Sequence, residues 1–331
     1  MEKRRFGRTG IEVSALGFGC GAVGGLMVKG APADQERAVA RALELGINYF
    51  DTAQMYGNGE SERNLGCVLR ALKPECYVGT KVRLPPTEPG RIGEAIAASL
   101  DASLKRLQRE QVDLFQFHNA IVGATSGADF AADTVLDEVV PAFERLRAQG
   151  KFRYFGITAN GETAALNRVI DARAFDTAQA SYNLLNPSPA GKLPSGYPAQ
   201  DYDDLLGHAA AADLGIIVIR VLAAGALSGS EERHPLGSPP PAPIGSGADY
   251  RRDVERARRF APLVREGHVD SLIEAAIRYP LAQRAVSTVL VGYSTLEQLE
   301  YAARAVEKGP LPPATLARIG EIQQSFVGEP R

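Results

Sequence analysis

Short runs of apolar residues rich in β-branched side chains alternate along this chain with longer stretches in which apolar residues return every three or four positions. The runs are Ser14–Gly19, Ile47–Asp51, Cys76–Lys81, Val112–His118, Phe152–Thr158, Thr177–Tyr182, Ile216–Val221 and Ser287–Gly292. Between them, Leu65, Val68, Leu69 and Leu72 mark one helix face, and Ile96, Leu100, Ser103, Leu104 and Leu107 mark another. Strand-sized runs separated by helical stretches predict parallel strands joined by crossover helices. The expected class is α/β: a (β/α)8 or TIM barrel, with residues 1–331 forming one domain.

Punctuation agrees with the period. Gly46, Gly150 and Gly215 each stand between a helical stretch and an apolar run, where a left-handed residue ends a helix. Lys3–Val13, with the turn Arg8-Thr9-Gly10, predicts an N-terminal β-hairpin that plugs the barrel floor. Two stretches break the rhythm, Asn183–Gln200 and Ala223–Gly267, the second containing Ser238-Pro239-Pro240-Pro241. They predict long loops covering the substrate side at the C-terminal face of the barrel.

Composition narrows the function classes. Apolar residues make up 45% of the 331 and charged residues 23%, so a large core can form. Net charge is −2 with no basic cluster, which argues against nucleic acid. Cys20, Cys67 and Cys76 have neither disulfide-framework nor zinc-ligand spacing. The opening residues are charged and no run of 18 apolar residues occurs, so the expectation is a cytoplasmic protein with no membrane partner and no bound metal.

Candidate chemistry gathers at the ends of the runs. Asp51 ends the second, Lys81 the third and His118 the fourth, and Tyr56 follows Asp51 on a loop. Barrels carry their catalytic groups at C-terminal strand ends. Carbonyl reduction by hydride needs an acid at the oxygen; a tyrosine serves if an ammonium lies beside it and a carboxylate anchors that ammonium. Singly, Asp51 reads as a helix cap, Lys81 as a surface lysine, His118 as a core histidine and Tyr56 as a turn residue. In this order and at these positions they read as one site. A Gly19-x-Gly21-x-x-Gly24 match is a decoy, because Gly25, Gly30 and Pro32 follow it and helical period starts only near Asp34.

Asp51-Thr52-Ala53-Gln54-Met55-Tyr56-Gly57, Gly79-Thr80-Lys81 and Asp113-Leu114-Phe115-Gln116-Phe117-His118 resemble the signatures of the aldo-keto reductases, and the likeness runs from Arg4-Arg5-Phe6-Gly7-Arg8-Thr9-Gly10 to Gly292. The resemblance implies Tyr56 as general acid/base, Lys81 lowering its pKa, Asp51 anchoring Lys81, and His118 orienting the carbonyl. It implies an NAD or NADP cofactor and a small carbonyl or sugar substrate. Thr158, Asn160 and Gln179 stand where relatives hold the nicotinamide carboxamide, Asn160 replacing a position held here by Ala159. No aromatic ends the seventh run, so Arg220 or Val221 would support the nicotinamide, with Leu222, Gly225 and Leu227 wrapping the pyrophosphate and Gly19 bringing backbone close. Gly292, Ser294 and Gln298 would meet the adenosine end, and Tyr293 reads as stacking on adenine or, more simply, packing on its own barrel. No Lys or Arg follows Gly292 before Arg304, which favours NAD over NADP.

The expected activity is hydride transfer between nicotinamide and a carbonyl or alcohol carbon, as an aldehyde or ketone reductase or, in the oxidative direction, a sugar (aldose) dehydrogenase. Two rivals are a Schiff-base aldolase using Lys81 and a non-catalytic cofactor-binding barrel. Met27, Ile121 and the loops after His118, Asn183 and Ala223 are the expected specificity elements.

Overall fold

A computed structural model describes residues 1–88 and 90–331. Strands β1 (Lys3–Arg5) and β2 (Glu12–Ser14) form an antiparallel hairpin. The barrel follows with β3 (Leu16–Gly19), β4 (Tyr49–Asp51), β5 (Tyr77–Val82) and β6 (Val112–Phe117). A short parallel pair, β7 (Ile121–Val122) and β8 (Phe130–Ala131), decorates the next loop before β9 (Phe152–Ala159), β10 (Thr177–Ser181), β11 (Gly215–Ile219) and β12 (Val286–Gly292). The eight longer-range neighbours β3-β4-β5-β6-β9-β10-β11-β12 close into a barrel, every pair parallel. The chain is therefore a (β/α)8 barrel, with strand ends that differ from the apolar runs by at most two residues.

Strand alternation gives the barrel two cores. Phe115 and Phe117 point outward into the layer shared with the helices, whereas Leu114 points inward. The helix Glu60–Leu72 buries Leu65, Val68 and Leu69, and Ile92–Leu107 buries Ile96, Leu100, Ser103, Leu104 and Leu107. Each large apolar side chain so removed from water contributes about 1.5–3 kcal/mol.

The barrel floor is sealed from the hairpin. Phe6 inserts beside Tyr49, ring centroids 5.9 Å apart, and with Val13, Leu114 and Ile217 fills the lower interior. Gly46 and Gly150 are left-handed, as expected (φ 82° and 76°), but Gly215 is the first residue of β11. Its glycine answers a different need: a Cβ there would lie 2.6 Å from the Phe6 ring.

The stretch 223–267 is not structureless. It holds turns at Ala223–Ser228 and Pro235–Gly237 and helices at Tyr250–Arg258 and Pro262–Arg265. Asp249 caps the first helix by accepting from the Arg252 N–H at 2.8 Å, while Val254, Ala257, Phe260 and Leu263 are fully buried. Charges on its outer face hid that short helix from a periodicity reading. The stretch does lie at the C-terminal face: Ala242 O accepts from Arg220 and Ile244 O from Ser181. No described helix is long and apolar enough to cross a membrane.

Candidate active site

Asp51, at the last position of β4, is buried against Lys81 of the neighbouring β5. All three protons of the Lys81 ammonium are used: on Asp51 Oδ1, on the Thr52 carbonyl at 2.8 Å and on the Tyr56 hydroxyl at 3.3 Å. Burial pulls the Lys81 pKa down, but Asp51 and Tyr56 outweigh it and hold the amine above its ordinary value. An amine kept charged in this way is a poor nucleophile, which removes the footing of the Schiff-base reading. The second carboxylate oxygen accepts from Tyr49 OH at 2.9 Å, Gln116 Nε2 at 3.2 Å and Gln179 Nε2 at 2.7 Å. A buried charge is tolerable only with partners of this number.

Tyr56 is half-buried, with Gly21 facing its ring and Lys81 Nζ 4.9 Å from the ring centre. Burial pushes its phenol above the usual value; Lys81, and more weakly Arg220, pull the other way. Lys81 thus acts in the expected direction, but burial wins and the hydroxyl keeps its proton. His118 follows β6, its amide donating to the Val82 carbonyl at 2.8 Å and its Nδ1 lying 2.7 Å from Thr158 Oγ1. Burial, then the positive charges of Lys81 and Arg83, push the imidazole down to about 3, so it is neutral near pH 7. Thr158 and Gln179 are register partners on β9 and β10 and are joined at 3.3 Å. A continuous polar belt therefore runs Tyr56, Lys81, Asp51, Gln179, Thr158, His118.

The remaining expected residues divide into two groups. Arg220, just past β11, has a left-handed backbone (φ 56°) and a half-buried guanidinium whose side-chain partner is the Ala242 carbonyl at 3.2 Å. Burial lowers its pKa, opposed by Tyr56 and Asp253. The loop that follows is tightly wound, with Ala223, Ala224 and Gly225 at φ 45°, 59° and 105°. Arg233 ties it down by donating to Ala224 O, to Gly237 O at 3.0 Å and to Val23 O at 3.3 Å. A cation with a single neutral partner among the described residues, beside small residues, suits a phosphate-bearing ligand. Val221 and Leu227, however, are buried in the outer core; the seventh barrel strand instead offers the half-buried Ile219 to the interior. Asn160 is half-buried, its backbone engaged with Ile121 at 2.8 Å.

At the other end Ser294 is already committed. Its hydroxyl donates to Gly24 O at 2.5 Å, and its amide to Gln298 Oε1 at 2.8 Å. Tyr293 is buried and packs on Phe18 at 5.1 Å, as its simpler reading had it. The glycine decoy is explained by the chain itself: a Cβ at Gly24 would lie 2.2 Å from Tyr293 N, and one at Gly19 3.0 Å from Val291 O. One helical turn, Leu26–Lys29, does follow those glycines, and the longer helix starts at Pro32. Met27 and Ile121 are core residues, 1% and 0% exposed, and cannot line an open pocket. Sequence reasoning missed Tyr49, Gln116 and Arg233; the first two stand two positions before Asp51 and His118, where strand alternation puts them on the same face. It also missed that Arg41, from the helix Pro32–Glu44, pairs with Glu300 at 2.8 Å.

Residues 15–324 match the model of the Aldo/keto reductase family, a span that takes in all the barrel strands. L-galactose dehydrogenase from Arabidopsis thaliana is 30% identical over 314 residues, covering 92% of this chain and 88% of that protein. Pyridoxal 4-dehydrogenase from Microbacterium luteolum is 28% identical over 336 residues, with 90% and 91% covered. Among solved structures, the holo form of an aldo-keto reductase from Bacillus halodurans matches at a TM-score of 0.72 and 26% identity, over 100% of this chain and 98% of that one. With the closed parallel barrel and a match of this length, the chain belongs to the aldo/keto reductase family, whose members are oxidoreductases.

Proposed function

We propose that this chain, acting as one catalytic barrel domain, moves hydride between NAD or NADP and the carbonyl or alcohol carbon of a small molecule, with Tyr56 as general acid/base. The observation that carries the reading is the 3.3 Å contact of Lys81 with the Tyr56 hydroxyl, within an ammonium whose other protons are fixed by Asp51 and Thr52. Tyr56 keeps its proton at neutral pH and can deliver it to an oxygen on which negative charge develops. Lys81 stabilises the phenolate left behind, and Asp51 keeps Lys81 charged and in place. His118 fixes the substrate at the same end of the barrel.

The nicotinamide supplies the hydride in reduction and takes it in oxidation. Arg220 and the loop Leu222–Leu227 are the residues suited to its phosphates, and Thr158, Asn160 and Gln179 to its carboxamide. Gly19, Gly292 and the Gln298 amide NH2 would meet the rest of the dinucleotide, and Ser294, whose hydroxyl proton goes to Gly24 O, would meet it as an acceptor. Glu297 at the first turn of the helix Leu296–Glu307 disfavours a 2′-phosphate, which supports NAD. The named relatives act on a sugar and on pyridoxal by title, so a sugar or another small aldehyde or alcohol is the substrate class. Three free cysteines suit a reducing cytoplasm.

Turnover with NAD(H) and NADP(H) across a carbonyl and sugar panel tests the reading. Tyr56→Phe should lower kcat by about 10²–10⁴-fold with little change in Tm. Unchanged kcat in that variant sinks it.

A further inference from the structure

A left-handed backbone or a close neighbour accounts for most glycines of this chain. Two have neither. Gly191 is extended (φ 160°, ψ −177°), Gly320 lies inside the helix Pro313–Gln324, and a Cβ at either would have no atom of the described residues within 4 Å. Glycine weakens a helix interior, so nothing local explains Gly320. Both residues line one cleft of about 270 Å³. Its buried wall is Tyr182 and Tyr279, ring centroids 5.1 Å apart, with Gln323, which shares a helix face with Gly320. Tyr182 follows Ser181 at the end of β10, and strand alternation turns it away from Gln179 into the outer core. The cleft and the polar belt therefore lie on opposite faces of one strand.

Two buried polar atoms of that wall are uncommitted. Tyr182 is 1% exposed, and burial pushes its phenol above the usual value, so it keeps its proton. Its hydroxyl makes no hydrogen bond among the described residues, although Tyr279 and Gln283 stand near enough to influence it, and it is not sealed from solvent. Gln323 is 8% exposed and its amide is fixed: Nε2 donates to the Leu184 carbonyl at 2.9 Å and to the Tyr279 hydroxyl at 3.5 Å. Oε1 is left without a partner among the described residues and is likewise unsealed. One free donor and one free acceptor call for a group that does both, as a hydroxyl does and an ionised carboxylate cannot. No Asp or Glu is among the described lining residues, which disfavours a cation, and Pro187, Leu193 and Pro194 offer apolar surface to C–H groups. We propose that this cleft is a second binding site, outside the catalytic mouth, for a small neutral molecule carrying several hydroxyls, of monosaccharide or polyol size. Sites for drug-sized ligands span roughly 300–1,000 Å³, and this one is smaller. The site does not rest on the hydride-transfer reading above.

The wall itself can report binding. In the full chain with 13C-labelled tyrosine rings, Tyr182→Phe and Tyr279→Phe identify two signals among eleven tyrosines. Titration with D-glucose, D-xylose and myo-inositol, one at a time, should shift both saturably, with a Kd of about 1–10 mM for at least one of the three. Gly320→Leu puts a better helix former into the open space, so it should leave Tm and kcat unchanged or Tm higher, and remove the titration. Tyr182→Phe, read at Tyr279, should weaken binding about three- to tenfold. No saturable shift with any of the three up to about 100 mM overturns the proposal. A shift of equal size in Gly320→Leu overturns it too, because the ligand then sits elsewhere. A shift with phosphate or acetate but with none of the three overturns the ligand class. If the larger side chain at 320 lowers Tm, Tyr182→Phe decides alone, and undiminished affinity in it overturns the site. Turnover is not read, so failure of the hydride-transfer reading leaves these outcomes as they are.

Discussion

The two ends of this barrel are built on opposite principles. At the floor, Phe6, Val13, Leu114 and Ile217 exclude water with apolar surface alone. At the mouth, Lys81, Asp51, Gln179, Thr158 and His118 form a continuous line of hydrogen bonds. Tyr49 belongs to both: its ring packs on Phe6 and its hydroxyl donates to Asp51. Burial pushes that phenol well above its usual value, so it remains a donor. The floor needs only volume and can be judged by packing. The mouth needs direction, because each hydrogen bond there commits one proton to one acceptor.

If the ends are as different as this, damage at each should have a different signature. Asp51→Asn leaves the Lys81 ammonium buried without its counter-charge. It should lose about 3–5 kcal/mol of stability in denaturant unfolding and abolish turnover together. Phe6→Ala should cost about 3–5 kcal/mol by the same measurement, yet leave kcat near its starting value at temperatures where the variant is folded. A large fall in kcat there would show that the floor also positions the chemistry. Tyr49→Phe removes one donor to Asp51 without removing the ring. A loss of about 1–3 kcal/mol, with the pH profile of kcat displaced, would show the two ends meeting at this residue; an unchanged profile would make Tyr49 a floor residue only.

The smallest effect is on pH-dependent stability. Held down to about 3 from an ordinary 6.5, His118 is neutral in the folded protein and protonates more readily when unfolded. Its contribution to stability is therefore present above pH 6.5 and fades as pH falls toward 3. By pH 5 the loss should be about 1–2 kcal/mol, read as a drop in unfolding midpoint from pH 7 that is smaller in His118→Leu. Equal drops in both proteins would remove His118 as the cause.

The elements that were legible owe this to local periodicity. Apolar runs marked every barrel strand, and the stripe from Ile96 to Leu107 marked a helix, because each face must be dry along its length. Asp51, Lys81 and His118 were legible because strand ends are where a barrel gathers its polar groups. Val221 was misplaced because a strand running two residues shorter than its apolar run turns that side chain into the outer core. The helix Tyr250–Arg258 was missed because a short amphipathic segment buries too few apolar residues to show a period.

By itself, the sequence determined the barrel, its strand ends and the cluster of Asp51, Tyr56, Lys81 and His118 as candidates, since these depend on spacing along one strand or loop. Only the tertiary structure decided that Tyr49, Gln116 and Gln179 converge on one carboxylate oxygen, that burial outweighs Lys81 at Tyr56, and that Gly215 makes room for Phe6. Hydrogen-bond direction and desolvation depend on what lies opposite in space, and residues separated by 128 positions, as Asp51 and Gln179 are, carry no local mark of each other.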